Sequence, residues 1–227
     1  MKKRLTLSLS AITVIITFLF SLNTASAASK ETKRLKDATE VMEAIAAIPE
    51  KGIPAALLKK ARGIAVMPGV IKLGFVVGGR YGKGVMAVRR GSGWTDPAFL
   101  TMGGGSVGWQ IGAQSTDIIL IFMSKKSVDG IINGKVTLGV DASIAAGPVG
   151  RQAEASTDIL LKSEIYSYSR SRGLFAGFSF EGGVLVIDDK ANEKFYGEKD
   201  VTAGDIFAGK VRGVPAAAIK FKKSLME

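Results

Sequence analysis

ARGIAVMPGVIKLGFVVGGRYGKGVMAVRRGSGWTDPAFLTMGGGSVGWQIG, residues 61–112, is the stretch that decides how the chain is read. Short apolar and β-branched runs alternate in it with glycines, the pattern of strands joined by tight turns. Ile71, Leu73, Phe75 and Val77 fall at every second position, which is strand periodicity. Basic residues are spaced along the same stretch: Arg62, Lys72, Arg80, Lys83, Arg89 and Arg90. The centre of the protein is therefore a glycine-rich, basic β-structure and not a helical enzyme core.

Before this stretch, residues 29–48 read as a helix. Ser29 or Thr32 can cap it, and Leu35, Ala38, Val41, Met42, Ile45 and Ile48 recur at helical spacing. Such a stripe docks on a core; the alternative is a basic amphipathic helix lying on a membrane, which the Ala-rich apolar face without Trp or Phe disfavours. Pro54 can start a second short helix, with Gly63 ending it.

After the central stretch, residues 117–123 form a near-continuous apolar run, expected as a strand buried on both faces. Ser124 can cap a helix to Ile132, and Asn133-Gly134 makes a turn. Residues 135–142 alternate as a half-buried strand. The small residues of 143–150 predict close approach of backbones. In 165–172, Tyr166, Tyr168, Arg170 and Arg172 fall on one face and Ile165, Ser167, Ser169 and Ser171 on the other. A strand through Leu174, Ala176, Phe178 and Phe180, a turn at Gly182-Gly183 and a strand at 184–187 follow. Short helical pieces at 191–196 and 201–208 and a basic terminal helix from Pro215 complete the chain. The expected fold class is α+β: a mainly antiparallel, Gly-rich sheet or partly closed barrel, flanked by an N-terminal helix and short C-terminal helices.

The chain has 227 residues, a formal charge of +11, and neither Cys nor His. Lys2, Lys3 and Arg4, the apolar run 11–22 and Ala25-Ser26-Ala27 read as the three regions of a cleavable signal peptide. The alternative, a membrane anchor, needs a run of about 20 apolar residues. Residues 1–27 are thus expected to be a leader and 28–227 a single domain of charge +8, exported to the periplasm or beyond and resting peripherally on a membrane. A lipoprotein anchor and disulfides are excluded for want of cysteine. The surplus of cations favours anionic partners.

Motifs for chemistry are weak. Residues 104–108 match the G-x-S-x-G nucleophile elbow in letters, but a serine there needs a histidine base and the chain has none. In 78–84, GGRYGKG, a Walker A loop would need Ser or Thr after Lys83, where Gly84 stands. That run is either a hairpin turn with solvated cations or a backbone nest in which Arg80 and Lys83 receive a lipid phosphate. Asp188-Asp189 is expected in a turn beside Lys190, not in a metal site. No catalytic residue, metal or cofactor is assigned, and nucleic acid is not expected as a partner because no RNP-like motif appears.

Residues 61–70, 74–89, 93–124, 139–156 and 165–182 together resemble the SYLF domain, a lipid-binding module also described as an actin-binding domain in fungal members. The resemblance implies binding of anionic lipid, phosphoinositides in eukaryotic members, without catalysis. It also implies that basic residues and an N-terminal amphipathic segment carry the binding: Lys33, Arg34 and Lys36, and more loosely Lys59, Lys60 and Arg62. Arg80, Lys83, Arg89 and Arg90 join them as lipid-binding candidates from the central stretch. The expected function is a non-enzymatic module on an anionic phospholipid membrane surface of the cell envelope. The alternative is an envelope scaffold with a protein partner. Actin is set aside in this reading, because an exported chain would not meet it.

Overall fold

A computed structural model describes residues 30–48, 52–74, 77–107, 112–149, 162–171, 174–178 and 181–226. The expected leader, residues 1–27, lies outside them. Helix α1 (30–46) buries Leu35, Ala38, Val41, Met42 and Ile45, the stripe its sequence spacing predicts. Helix α2 (Ala55–Lys60) starts on Pro54, and its chain turns extended at Ala61, so Gly63 is already strand.

Among the described residues ten strands follow: β1 (Gly63–Gly74), β2 (Val77–Arg90), β3 (Gly93–Trp94), β4 (Ala98–Val107), β5 (Gly112–Phe122), β6 (Lys135–Thr137), β7 (Ile144–Ala146), β8 (Ile165–Ser171), β9 (Leu174–Gly177) and β10 (Gly183–Ile187). Helix α3 (Lys125–Ile132) separates β5 from β6. Helices α4 (Asp189–Tyr196), α5 (Ala203–Phe207) and α6 (Ala216–Ser224) end the chain. The strands form one strongly curled half-barrel in the order β6-β10-β4-β2-β1-β5-β8-β7, with β3 on β2 and β9 on β8. Among these described strands every pairing is antiparallel except β7 with β8. The α+β class and the flanking helices are as the sequence predicts.

The sheet is dry at one end and wet at the other. Ile64–Met67, Val85–Ala87, Ala98–Leu100, Ile118–Phe122 and Ile165–Tyr168 are buried, most of them on both faces. Toward Lys72, Arg80, Ser115 and Ser171 the same strands become half-buried or exposed. Such an end-to-end gradient turns five core strands into a platform with one open rim.

Several expectations change. The alternating run 71–77 spans two strands, Ile71 and Leu73 in β1 and Val77 in β2, with Phe75 outside the described residues. Residues 78–84 are neither a hairpin turn nor a nest: they lie within β2, where glycines make room for the irregular stretch of β1 between Val66 and Ile71. A Cβ on Gly84 would stand 2.3 Å from the Val66 carbonyl, and one on Gly82 would stand 2.6 Å from Val70 Cγ2. Arg80 and Lys83, three apart on an extended strand, face opposite sides and cannot share a phosphate. The expected strand 135–142 stops at Thr137, because Gly139 turns with φ +83° and the Asp141 carboxylate accepts from the Thr137 N–H at 2.7 Å. Beyond Gly177, Phe178 leaves the strand, and Phe180 lies outside the described residues. The predicted close approach at 143–150 is present: a Cβ on Gly177 would lie 1.9 Å from the Gly147 carbonyl oxygen.

Candidate functional site

The cations singled out by sequence divide among three places. The first is α1 and its surroundings, where each cation meets a carboxylate. Lys33 pairs with Asp37 at 2.6 Å and Lys36 with Glu40 at 3.9 Å, one helical turn away. The hydrogen bond and charge of Asp37 raise the Lys33 ammonium above its ordinary value. Arg34 is mostly buried, 5.2 Å from the Phe99 ring centroid, and its Nη1 lies 3.5 Å from Asp188 Oδ2. Lys83 reaches the same oxygen at 3.3 Å. Asp188 is not in a turn but is the N-cap of α4, accepting from the Ala191 N–H at 3.3 Å. These side chains hold α1 and α4 on the sheet, and their charge is largely answered.

The second place is the dry end of the β1–β2 hairpin. Arg89 is structural there. Its guanidinium stacks on Trp94, Nη2 donates to the Leu58 carbonyl at 2.6 Å, and Nε donates to that of Ala61 at 3.4 Å. Burial lowers its pKa from the ordinary value. Arg90 donates to the Ala208 carbonyl at 3.0 Å. Around them Lys59, Lys60 and Arg62 are exposed and rim a depression of 630 Å³ that Leu58 and Met226 also line. No carboxylate lines it among the described residues.

The third place is the wet end, about 30 Å away along β1 at 3.3 Å per residue. Lys72 and Arg80 are directly opposed across the β1–β2 ladder and open into a groove of 720 Å³. Its walls include Val70, Ile118, Leu174 and Phe178. Burial lowers the pKa of Arg80 from the ordinary value.

The structure therefore brings Lys59, Lys60, Arg62 and Arg89 to one depression, with Arg90 tethered beside it. Lys33, Arg34, Lys36 and Lys83 belong to α1 and its contacts, and Arg80 opens at the far end. Sequence reasoning missed Leu174 and Phe178 as groove walls, because β9 reads as an ordinary alternating strand. It also missed Asp188 as the point where two cations converge; the N-cap position before α4 was the available signal. Residues 104–107 of the G-x-S-x-G run lie in β4, paired with β2, so Ser106 sits within a strand and not on a strand-to-helix turn; Gly108 lies outside the described residues.

Comparison with known proteins adds what geometry alone does not carry. The model of the family described as Ysc84, Las17-binding protein actin regulator, matches residues 103–227. Protein YSC84 of Saccharomyces cerevisiae is 40% identical over 169 residues, covering 73% of this chain and 36% of the yeast protein. SH3 domain-containing YSC84-like protein 1 of Xenopus laevis is 36% identical over 191 residues, covering 83% of this chain and 56% of the frog protein. LAS seventeen-binding protein 3 of Saccharomyces cerevisiae is 37% identical over 174 residues, 75% of this chain and 38% of that protein. The chain thus spans between about a third and a little over half of the length of these relatives. The family description names Las17 binding and actin regulation, and the third relative's name describes binding to LAS seventeen. The expectation that leaves actin aside as a partner class is corrected by this match.

Proposed function

This chain belongs to the Ysc84 family, that of the SYLF domain, and from that premise we propose that it is a non-catalytic binding module that docks on an anionic phospholipid surface, as an exported protein of the cell envelope. The observation that carries the reading is the patch of Lys59, Lys60 and Arg62, exposed around one depression that no described carboxylate lines. Met226, 62% exposed beside them, offers an apolar tip to the interfacial zone. Each cation near a charged bilayer contributes about 1 kcal/mol. Three therefore give about 3 kcal/mol, roughly a hundredfold in partition, screened beyond about 10 Å at 0.1 M salt. Arg89 supports the patch by fixing the backbone at Leu58 and Ala61.

Co-sedimentation with phosphatidylglycerol–phosphatidylcholine vesicles across a salt series tests the reading. Pelleting should grow with anionic lipid, fall with salt, and be lost in Lys59→Glu/Lys60→Glu/Arg62→Glu. Pelleting indifferent to lipid charge and to salt would overturn it.

A second reading has its own support in the family description and in one relative's name: the module binds a protein of the actin-regulatory kind, with or without a membrane. Co-sedimentation of the full chain with filamentous actin tests it. A chain that stays in the supernatant at every filament concentration removes actin itself as the ligand.

A further inference from the structure

The groove at the wet end of the sheet is separate from the patch just described and rests on none of its residues. It has two chemical halves. Lys72 and Arg80 stand side by side as directly opposed residues of β1 and β2. Val70, Ile118, Leu174 and Phe178 supply apolar surface to the same groove. Both cations are half-buried where they line the groove, whereas Lys59 and Lys60 are exposed. A flat bilayer meets protruding charges such as Lys59 and Lys60. A half-buried pair beside an apolar wall instead suits one molecule that carries its own charge and its own chain.

The size agrees. At 720 Å³ the groove falls in the range of about 300–1,000 Å³ that single small ligands occupy. Leu174 is 78% exposed although it is a large apolar residue on β9, an arrangement that leaves unburied apolar area beside the cations. Among the described residues the Lys72 side chain has no hydrogen bond or ion pair, so its ammonium is available to an anion. Two adjacent cations and burial together favour a phosphate or carboxylate over a neutral head. We propose that this groove binds one anionic amphiphile, an alkyl or acyl chain ending in phosphate or carboxylate, with Lys72 and Arg80 on the head and Leu174 and Phe178 against the chain.

Calorimetric titration of the full chain with dodecyl phosphate below its micelle concentration tests this, with dodecyl maltoside and inorganic phosphate as comparisons. One equivalent of dodecyl phosphate should bind, and each comparison ligand should bind at least about tenfold more weakly. Lys72→Glu should weaken dodecyl phosphate by about tenfold or more, and so should Leu174→Asp, whose site is exposed enough to leave folding intact. Lys59→Glu/Lys60→Glu/Arg62→Glu should leave this binding unchanged while losing vesicle pelleting, which separates the groove from the surface reading. Vesicle pelleting of Lys72→Glu identifies the source. Loss assigns the head to a bilayer lipid and retention to a free amphiphile, and either supports the groove provided dodecyl phosphate binding has fallen. Equal binding of the maltoside, or dodecyl phosphate binding untouched by both Lys72→Glu and Leu174→Asp, overturns the proposal.

Discussion

The guanidinium of Arg89 lies 3.8 Å from the centroid of the Trp94 ring while its Nη2 donates to the Leu58 carbonyl. A residue from the end of β2 therefore clamps a β3 indole and the last turn of α2 together. The indole in turn donates through Nε1 to the Leu225 carbonyl at 3.1 Å, tying in the C-terminus. One cation of the basic stretch is thus spent on architecture. Stacking and a charged donor to a carbonyl suggest that Arg89→Ala costs about 2 kcal/mol in urea unfolding. Vesicle pelleting at temperatures where the variant is folded should be retained. A variant of unchanged stability that has lost pelleting would reverse this assignment.

Asp188 is the partner of Arg34 and Lys83 and the cap of α4, so its two roles fail together. Asp188→Ala removes the cap and leaves Arg34 half enclosed without its counter-charge, an expected loss of about 2–3 kcal/mol. Lys83→Ala touches only the exposed partner and should cost under about 0.5 kcal/mol. Thermal or urea midpoints of the two variants decide it; equal losses would mean that Lys83, not the cap or Arg34, makes the contact that counts.

Two glycines of one run should respond in opposite ways. Gly84→Ala brings Cβ to 2.3 Å from the Val66 carbonyl and 2.5 Å from Met67 Cγ. Backbone cannot yield that much inside a paired ladder, so a loss of about 3 kcal/mol or more is expected. Gly79→Ala meets nothing within 4 Å and should change stability by no more than about 0.5 kcal/mol. Soluble yield and unfolding midpoints read out both; comparable tolerance at the two positions would refute the close packing of Gly84 against Val66 and Met67 of β1.

The Asp205 carboxyl is held at about 2, first by the hydrogen bond from the Thr202 hydroxyl at 2.6 Å and then by Lys210. A carboxyl lowered in the folded state stabilises above its ordinary value near 3.9. That contribution is lost as pH falls from there through about 2. Thr202→Val removes the capping box and should return the carboxyl toward its ordinary range, followed by the NMR shift of the Asp205 side chain against pH. A variant still titrating near 2 would assign the effect to Lys210 and the backbone N–H of residue 202, not to the hydroxyl.

Much of this was legible before the structure. The helical stripe of α1, the Pro54 start, the Ser124 cap and the buried run 118–122 are local signals, and local chemistry decides them. The separation of the cations was not legible. Arg80 and Lys83 are close in sequence but on opposite faces of β2, while Arg34, Lys83 and Asp188 meet only because β4 and β10 are neighbours and α4 follows. Asn192 was invisible for the same reason: fully buried, its Oδ1 accepts from the Phe99 N–H at 2.8 Å, a contact made across 93 residues. Spacing along a chain reports faces of one element, and a sheet assembled out of order brings together what spacing keeps apart.

That order has a consequence for how the polypeptide matures. Among the described residues the β6 strand is partnered by β10 alone, some fifty positions downstream, and β10 itself slots between β6 and β4. Half-made chains emerging from the ribosome would carry β4 with one margin bare and β6 with nothing to grip. Pairings this remote are paid for in loop-closure entropy before they return anything, which points to slow, late-committing assembly with a window for self-association. A fragment starting at residue 103 would suffer the mirror-image defect, since β4 and β5 would have lost β2 and β1, so the stretch matched by the family model is no self-sufficient folding unit.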